Sequence, residues 1–280
     1  MEILKGGAAS GKIKEEVAAM LEEMGGRVPK LAIVRVGGNL DDLSYERGAK
    51  KKLENFGLRV QSFVYPKEIS HEDFMREFQK VNEDEDVDGI LLLCPLPKQI
   101  DQKKAAAAID PDKDLDGISP VNAARIFAGD REGFAPCTAE AVMEVLKTAG
   151  ISVRGKRVVI VGRSMVVGRP LSMLMLQEDA TVTICHTKTV DLPDVCREAD
   201  ILVAAAGRAK MLDGSYVKEG AVVVDVGINV DENGVLCGDV DFDAVKEKTS
   251  AITPVPGGVG PMTIAMLMKN CVQSKKLFGE

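Results

Sequence analysis

Val158-Val159-Ile160-Val161-Gly162-Arg163-Ser164-Met165-Val166-Val167-Gly168-Arg169-Pro170 decides the fold of this 280-residue chain. Four β-branched residues in a row read as a strand buried on both faces, Gly162 as a tight turn, and Gly168-Arg169-Pro170 as the start of a helix. A strand, turn and helix in this order bring backbone N–H groups and a helix N-terminus close to a pyrophosphate. The spacing departs from Gly-x-Gly-x-x-Gly, because Ser164 stands at the second glycine position, and a Gly-rich turn by itself can be nothing more than a turn. Its surroundings favour the functional reading, since strands are expected at 157–161, 180–185, 200–205 and 221–226. The second of these ends in Cys185-His186-Thr187-Lys188, with no acid where an NAD-binding strand carries one for the ribose 2′-hydroxyl. Arg163, Thr187 and Lys188 suit a 2′-phosphate instead, although Lys188 alone reads as a solvated loop cation. The expected cofactor is therefore NADP.

The same alternation extends toward the N-terminus. Ile13, Val17, Leu21 and Met24 lie at helical spacing ahead of Gly25-Gly26 and a buried strand at 31–36. A helix is expected from about 44 to 56, closed by Gly57, then a strand at 58–64. Ser70 and Asp73 form a capping pattern ahead of Phe74, Phe78 and Val81, which share one face. Gly89 to Leu93 reads as a strand that Pro95 and Pro97 end. The polar stretch 129–136 looks like a joint between domains, after which Thr138 is expected to cap a helix. A last helix from about Pro261, apolar nearly all round at Ile264, Met266, Leu267 and Met268, should be buried. Such repetition predicts an α/β protein with mostly parallel sheets covered by helices, and the length suits two domains.

Composition narrows the class. With 45% apolar and 28% charged residues the chain suits a packed globule. No apolar run approaches the roughly 18 residues of a membrane span, and residues 1–17 lack a signal-peptide core, so no membrane partner and a cytoplasmic location are expected. Six cysteines without a Cys-x-x-Cys pair, and only two histidines, give no disulfide framework and no metal site. A net charge of −7 argues against nucleic acid as a partner.

Five segments, in order, resemble the methylenetetrahydrofolate dehydrogenase/cyclohydrolase family: Pro111-Asp112-Lys113-Asp114-Leu115-Asp116-Gly117, the turn Gly162-Arg163-Ser164 through Gly168-Arg169-Pro170, Asp225-Val226-Gly227-Ile228-Asn229, Gly238-Asp239-Val240, and Thr253-Pro254-Val255-Pro256-Gly257-Gly258-Val259-Gly260-Pro261-Met262-Thr263. The resemblance implies an N-terminal three-layer α/β folate domain completed by the C-terminal helix, and a Rossmann-type NADP-binding domain. The expected boundaries are 1–138 with 262–280 for the first and 139–261 for the second. It also implies oxidation of 5,10-methylenetetrahydrofolate, and a homodimer joined through the Rossmann domains.

By the same resemblance Asp116 takes the N–H and amino edge of the pterin, and Tyr45 stacks along the folate. An Asp before Gly is also an ordinary turn former, and Tyr45 also reads as a half-buried helix aromatic. Gly162, Arg163, Ser164, Gly168, Pro170, Thr187, Lys188, Ala206, Gly207, Gly227 and Ile228 fall to the cofactor. Pro256, Gly257, Gly258, Pro261 and Thr263 form a loop that borders both ligands. Neither histidine matches a catalytic position, and nothing marks Cys94 or Cys137 as a nucleophile.

Two positions depart from the family. Oxidation of the methylene carbon needs alignment but no proton transfer, whereas hydrolysis of the methenyl product needs an activated water. In the family that falls to a Lys one helical turn after a Tyr, and to a Gln at a strand end. Here Tyr45-Glu46-Arg47-Gly48-Ala49 places Ala49 on the Lys position, and Leu93-Cys94-Pro95 places Leu93 on the Gln position. Lys50 lies about 100° further round a helix. The changes suit each other, because a buried Gln without its partner would cost about 1–3 kcal/mol, which Leu avoids. The expectation is a dehydrogenase with weak or absent cyclohydrolase activity. One alternative is a helix register shifted at Gly48, which would bring Lys50 inward and restore a fully bifunctional enzyme making 10-formyltetrahydrofolate. Another is a non-catalytic folate- or dinucleotide-binding protein.

Overall fold

The computed structural model describes residues 1–130 and 132–278. The chain divides into two compact units, Met1–Ile13 with Pro136–Met266, and Lys14–Ala135 with Leu267–Glu280. The elements run β1 (Glu2–Ile3), α1 (Gly6–Glu23), β2 (Lys30–Val36), α2 (Leu40–Asn55), β3 (Arg59–Tyr65), α3 (His71–Glu83) and β4 (Gly89–Leu92). They continue with α4 (Gln102–Ala108), α5 (Pro120–Ala128), α6 (Cys137–Thr148), β5 (Arg157–Val161), α7 (Gly168–Gln177) and β6 (Thr181–Cys185). After these come α8 (Leu192–Arg197), β7 (Ile201–Ala204), β8 (Val222–Asp225), β9 (Asn229–Val230), β10 (Leu236–Cys237), α9 (Phe242–Val245), β11 (Ala251–Ile252) and α10 (Gly260–Phe278).

The second unit is built on a three-stranded parallel sheet in the order β3-β2-β4. Ala32, Val34 and Val36 of β2 pack with Phe74, Phe78 and Val81 of α3, and the intervening Leu31 and Ile33 are fully buried as well. Both faces of the sheet are therefore covered, as parallel sheets require. The end of α10 is tied into this unit by polar contacts. Asn270 donates to the Leu115 carbonyl at 3.0 Å, Ser274 to the Asp88 carbonyl at 2.7 Å, and Lys275 pairs with the Asp88 carboxylate at 2.6 Å.

The first unit carries a six-stranded sheet in the order β1-β11-β8-β7-β5-β6, parallel throughout. Val159, Val161, Leu202, Ala204 and Val223 form one core cluster, while Val158, Ile160, Ile201 and Val203 are buried on the other side. The chain leaves β5 toward β6 on one side and returns to β7 on the other. Strand order thus reverses between β5 and β7, the position at which doubly wound sheets open a ligand crevice.

Several boundaries differ from the sequence reading. Met1–Ile13 groups with the unit that carries the six-stranded sheet rather than with the expected N-terminal domain, because Glu2 and Ile3 pair with Ala251 and Ile252 as an added strand. A two-residue strand leaves no periodic signal. Helix α2 starts at Leu40, four residues before the expected position, because Asn39 caps it by accepting from the Asp42 N–H at 2.8 Å. Helix α6 begins at Cys137 behind Pro136 with no side-chain cap, so Thr138 sits inside the first turn instead of capping it. Of the expected joint at 129–136, Arg131 lies outside the described residues, as do 279 and 280 of the expected folate domain.

Candidate functional site

In the first unit the site grows from the end of β5. Gly162 adopts φ of 143°, its N–H donates to the Cys185 carbonyl at 2.9 Å, and a Cβ there would overlap the Ala205 carbonyl, so only glycine fits. The Ser164 hydroxyl accepts from the Val167 N–H at 3.1 Å and closes the turn. Helix α7 then starts at buried Gly168 without a side-chain cap, its positive dipole end favouring an anion.

A pocket of about 390 Å³ opens at the C-terminal ends of β5, β6 and β7. Of the expected residues, Gly162, Arg163, Ser164, Thr187 and Ala206 line it. His186, which the sequence places by the adenosine end of the cofactor, lines it as well; Thr189 and Arg208 line it too and were not anticipated, although the Gly207-Arg208 step after a buried strand was a legible signal. His186 stands where an NAD-type acid would. Its N–H donates to the Thr189 hydroxyl at 2.8 Å, and its Nδ1 accepts from the Lys188 N–H at 3.1 Å, which shapes the turn after β6. Lys188 and Gly207 are exposed but do not line the pocket. Gly168, Pro170 and Gly227 are buried, and Ile228 is exposed; none of these four lines it either. With a glycine turn, two arginines and no carboxylate on its walls, and the uncapped start of α7 following the same turn, the pocket fits a dinucleotide that carries an additional phosphate.

Also in the first unit lies the loop that ends at α10. Pro256 and Gly257 are exposed, Gly258 is buried, and Pro261 and Thr263 are half-buried. The Gly257 carbonyl accepts from the Gly6 N–H at 2.9 Å, fastening the loop to the start of α1.

In the second unit Tyr45 is half-buried on α2, and Ala49, one turn on, is fully buried. The side chain of Lys50 is 41% exposed and pairs with Glu54 at 3.8 Å. The register of α2 is held by Glu46, whose carboxylate meets Arg35 of β2 at 2.6 Å. Burial pushes the Glu46 carboxyl up, but hydrogen bonds from Ser62 and Arg35, with the charges of Arg35 and Lys50, outweigh this and hold it below the ordinary range. Turning Lys50 inward would pull Glu46 out of that pair. Leu93 is buried, and its N–H donates to the Val34 carbonyl at 2.9 Å, prolonging the β4 ladder.

Asp116 is half-buried in a turn that the buried Asp114 holds, by accepting from Ile118 N–H at 3.1 Å, Ser119 N–H at 2.7 Å and the Asn122 amide at 3.0 Å. Cys94 keeps contact with solvent, yet the protein crowded round its thiol pushes it up to about 11, with the carboxylates of Asp116 and Asp42 adding to the rise. That places Cys94 beside Asp116 and keeps it a neutral thiol, a poor nucleophile. Cys137 is buried. His71 accepts from the Asp101 N–H at 3.3 Å through Nδ1, at the start of α4. Among the described residues no cluster of His, Cys, Asp or Glu could hold a metal ion, and no helix is long and apolar enough to cross a membrane.

Comparison with known proteins bears on both units. Residues 4–116 match the tetrahydrofolate dehydrogenase/cyclohydrolase catalytic domain, and residues 136–278 match the NAD(P)-binding domain of the same family. The bifunctional protein FolD of Clostridioides difficile (strain 630) is 50% identical over 278 residues, which cover 99% of this chain and 97% of that one. The crystal structure of the bifunctional enzyme FolD, methylenetetrahydrofolate dehydrogenase/cyclohydrolase, from Campylobacter jejuni superimposes with a TM-score of 0.95 at 42% identity over 99% of both chains. The methylenetetrahydrofolate dehydrogenase-cyclohydrolase of Trypanosoma brucei, solved with NADP cofactor and inhibitor, gives a TM-score of 0.88 at 39% identity, over 97% of this chain and 94% of that one.

Proposed function

The chain belongs to the tetrahydrofolate dehydrogenase/cyclohydrolase family and is, as a member, a methylenetetrahydrofolate dehydrogenase that uses NADP; we propose that it carries out this oxidation with little or no hydrolysis of the methenyl product. The observation that carries the proposal is the inner face of α2, where Ala49 lies buried one turn after Tyr45 while Lys50 turns to Glu54.

NADP, when bound, supplies the hydride acceptor. The turn at 162–164 and the N-terminal end of α7 would hold its pyrophosphate, and Arg163 and Thr187 on the pocket wall, with the exposed Lys188 next in sequence, would serve its 2′-phosphate. Asp116, fixed by Asp114, receives the pterin's N–H and amino edge, and Tyr45 stacks along the folate. Gly257 and Gly258 let the loop backbone approach the ligands. No side chain has to move a proton, because the lone pair of the neighbouring folate nitrogen expels the hydride and leaves a resonance-stabilised methenyl cation. Orientation by the residues named above is then the main catalytic contribution.

Hydrolysis asks for more. A water must lose a proton as it attacks, and a nitrogen must gain one. At the two family positions stand a methyl group and an isobutyl group. Glu46 is an ion-paired carboxylate that gives no proton near neutral pH, and Cys94 is an unionised thiol. The names of the relatives favour a second reading, a bifunctional enzyme, which needs a proton-transfer group other than these.

The molecule is further proposed to work as a cytoplasmic homodimer joined through the first unit. Six free cysteines suit a reducing compartment. The deciding experiment follows NADPH and methenyltetrahydrofolate together after mixing with methylenetetrahydrofolate and NADP, beside an enzyme-free control for spontaneous hydrolysis. Equal rise of both products, with added methenyl compound decaying at the control rate, is expected. Consumption of methenyl faster than the control establishes the bifunctional enzyme.

A further inference from the structure

Asp225 and Asp239 are the buried acids among the described residues of the first unit, and neither lines the pocket. Asp239 follows β10 and is wholly enclosed. Its Oδ2 accepts from the N–H groups of Ala206 at 2.6 Å and Gly207 at 3.0 Å. Its Oδ1 accepts from Arg208 N–H at 2.8 Å and from the Asn229 side-chain amide at 2.9 Å. Four donors fill the acceptor capacity of a carboxylate, and three of them are consecutive amides of one loop. Ala206 and Arg208 of that loop line the pocket.

Asp225, at the end of β8, holds Asp239 in turn. Its carboxylate accepts from the N–H groups of Asp239 at 3.0 Å, Gly227 at 2.9 Å and Val240 at 2.9 Å. Two glycines make the space: a Cβ on Gly227 would come within 2.5 Å of the Asp239 side chain, and one on Gly238 would overlap the Asp225 carboxylate. Burial pushes Asp225 up to about 6 despite three hydrogen bonds, and the charge of Asp239 adds to the rise. The two acids are thus kept together against their own repulsion.

We propose that Asp239 is a positioning residue for the cofactor, whose carboxylate pre-forms the 206–208 backbone at the rim of the dinucleotide pocket from behind, with Asp225 fixing Asp239. The proposal rests on the pocket being the NADP site. A loop ordered before binding loses less freedom when the ligand arrives, so the carboxylate sets affinity for NADP without touching it.

Asp239→Asn tests this with little change of shape. Either orientation of the amide turns its NH₂ group toward two N–H donors, so at least one pair is lost. The dissociation constant for NADP is expected to rise about tenfold or more, with kcat at saturating NADP and KM for the folate within about twofold of wild type. An unchanged NADP affinity, or a parallel rise in both constants, overturns the proposal. Arg163→Ala separates its failure from that of the pocket assignment. Loss of NADP affinity in Arg163→Ala but not in Asp239→Asn removes the role of Asp239 alone, whereas no loss in either removes the pocket and the proposal with it. Amide exchange in the unmodified protein gives a test that does not depend on the variant folding. The amides of 206, 207 and 208 should exchange slowly before NADP is added; fast exchange that NADP alone slows overturns the idea.

Discussion

Position 49 carries a methyl group and position 93 an isobutyl group, and in the proposed reading these stand where the family places the pair that moves protons. Both residues can be read directly from the sequence, and their assignment to the family's Lys and Gln positions belongs to the proposal. What holds them in place cannot be read so. The contact between Glu46 and Arg35 joins positions eleven apart on different elements, and no spacing rule connects a helix residue to one strand partner. If the two side chains are the whole deficit, the double variant Ala49→Lys, Leu93→Gln should hydrolyse methenyltetrahydrofolate on the order of a hundredfold faster than wild type, the low end of what general acid–base groups contribute. Ala49→Lys alone should gain less, since a lysine in a fully buried position needs an acceptor for its charge. Decay of the methenyl compound in the double variant at the wild-type rate would show that other residues share the loss.

Helix α2 carries Tyr45, Ala49 and Lys50 together, so its rotation decides which of them would meet the substrate at the proposed site. Its apolar spacing is weak, and the sequence accordingly misjudged its start by missing the Asn39 cap. Polar contacts fix its rotation instead: Arg35 and Glu46 each keep only 12% of their side-chain surface exposed, and Ser62 of β3 adds a hydrogen bond. Glu46→Gln would leave the guanidinium without its counter-charge and should destabilise the protein by about 1.5–3 kcal/mol at pH 7. The pH dependence has a definite sign. A carboxyl held below its ordinary value stabilises the fold above the unfolded value of 4.5, and that stabilisation is lost as pH falls through the lower folded value. Denaturant unfolding at pH 7 and pH 3 should show a gap between wild type and variant at the higher pH that narrows at the lower. A gap of equal size at both would mean that Glu46 acts by shape and not by charge.

At the scale of the whole molecule, the two-domain α/β plan was readable because buried strands, Gly turns and helices repeat at regular intervals. The edges were not, since the two-residue strands β1, β9, β10 and β11 are too short for periodicity. One of those unread features bears on assembly. In the β9–β10 hairpin Val230 and Leu236 stand opposite each other and are 64% and 41% exposed, with Ile228 and Val235 exposed beside them. A two-stranded hairpin is marginal by itself, and clustered exposed apolar residues mark surfaces that another protein covers. A second copy is the partner that the homodimer proposal supplies, and in a two-fold interface every substitution acts twice. Light scattering after size exclusion should therefore give twice the chain mass of 30.0 kDa for the wild type. Val230→Asp with Leu236→Asp places four new carboxylates in such an interface. It should shift the mass to that of one chain while circular dichroism and the thermal midpoint stay close to wild type. A wild type that elutes as one chain removes the homodimer. A variant that remains a dimer moves the interface away from the hairpin, and the open edge strand β6, with Ile184 exposed, becomes the next surface to disrupt.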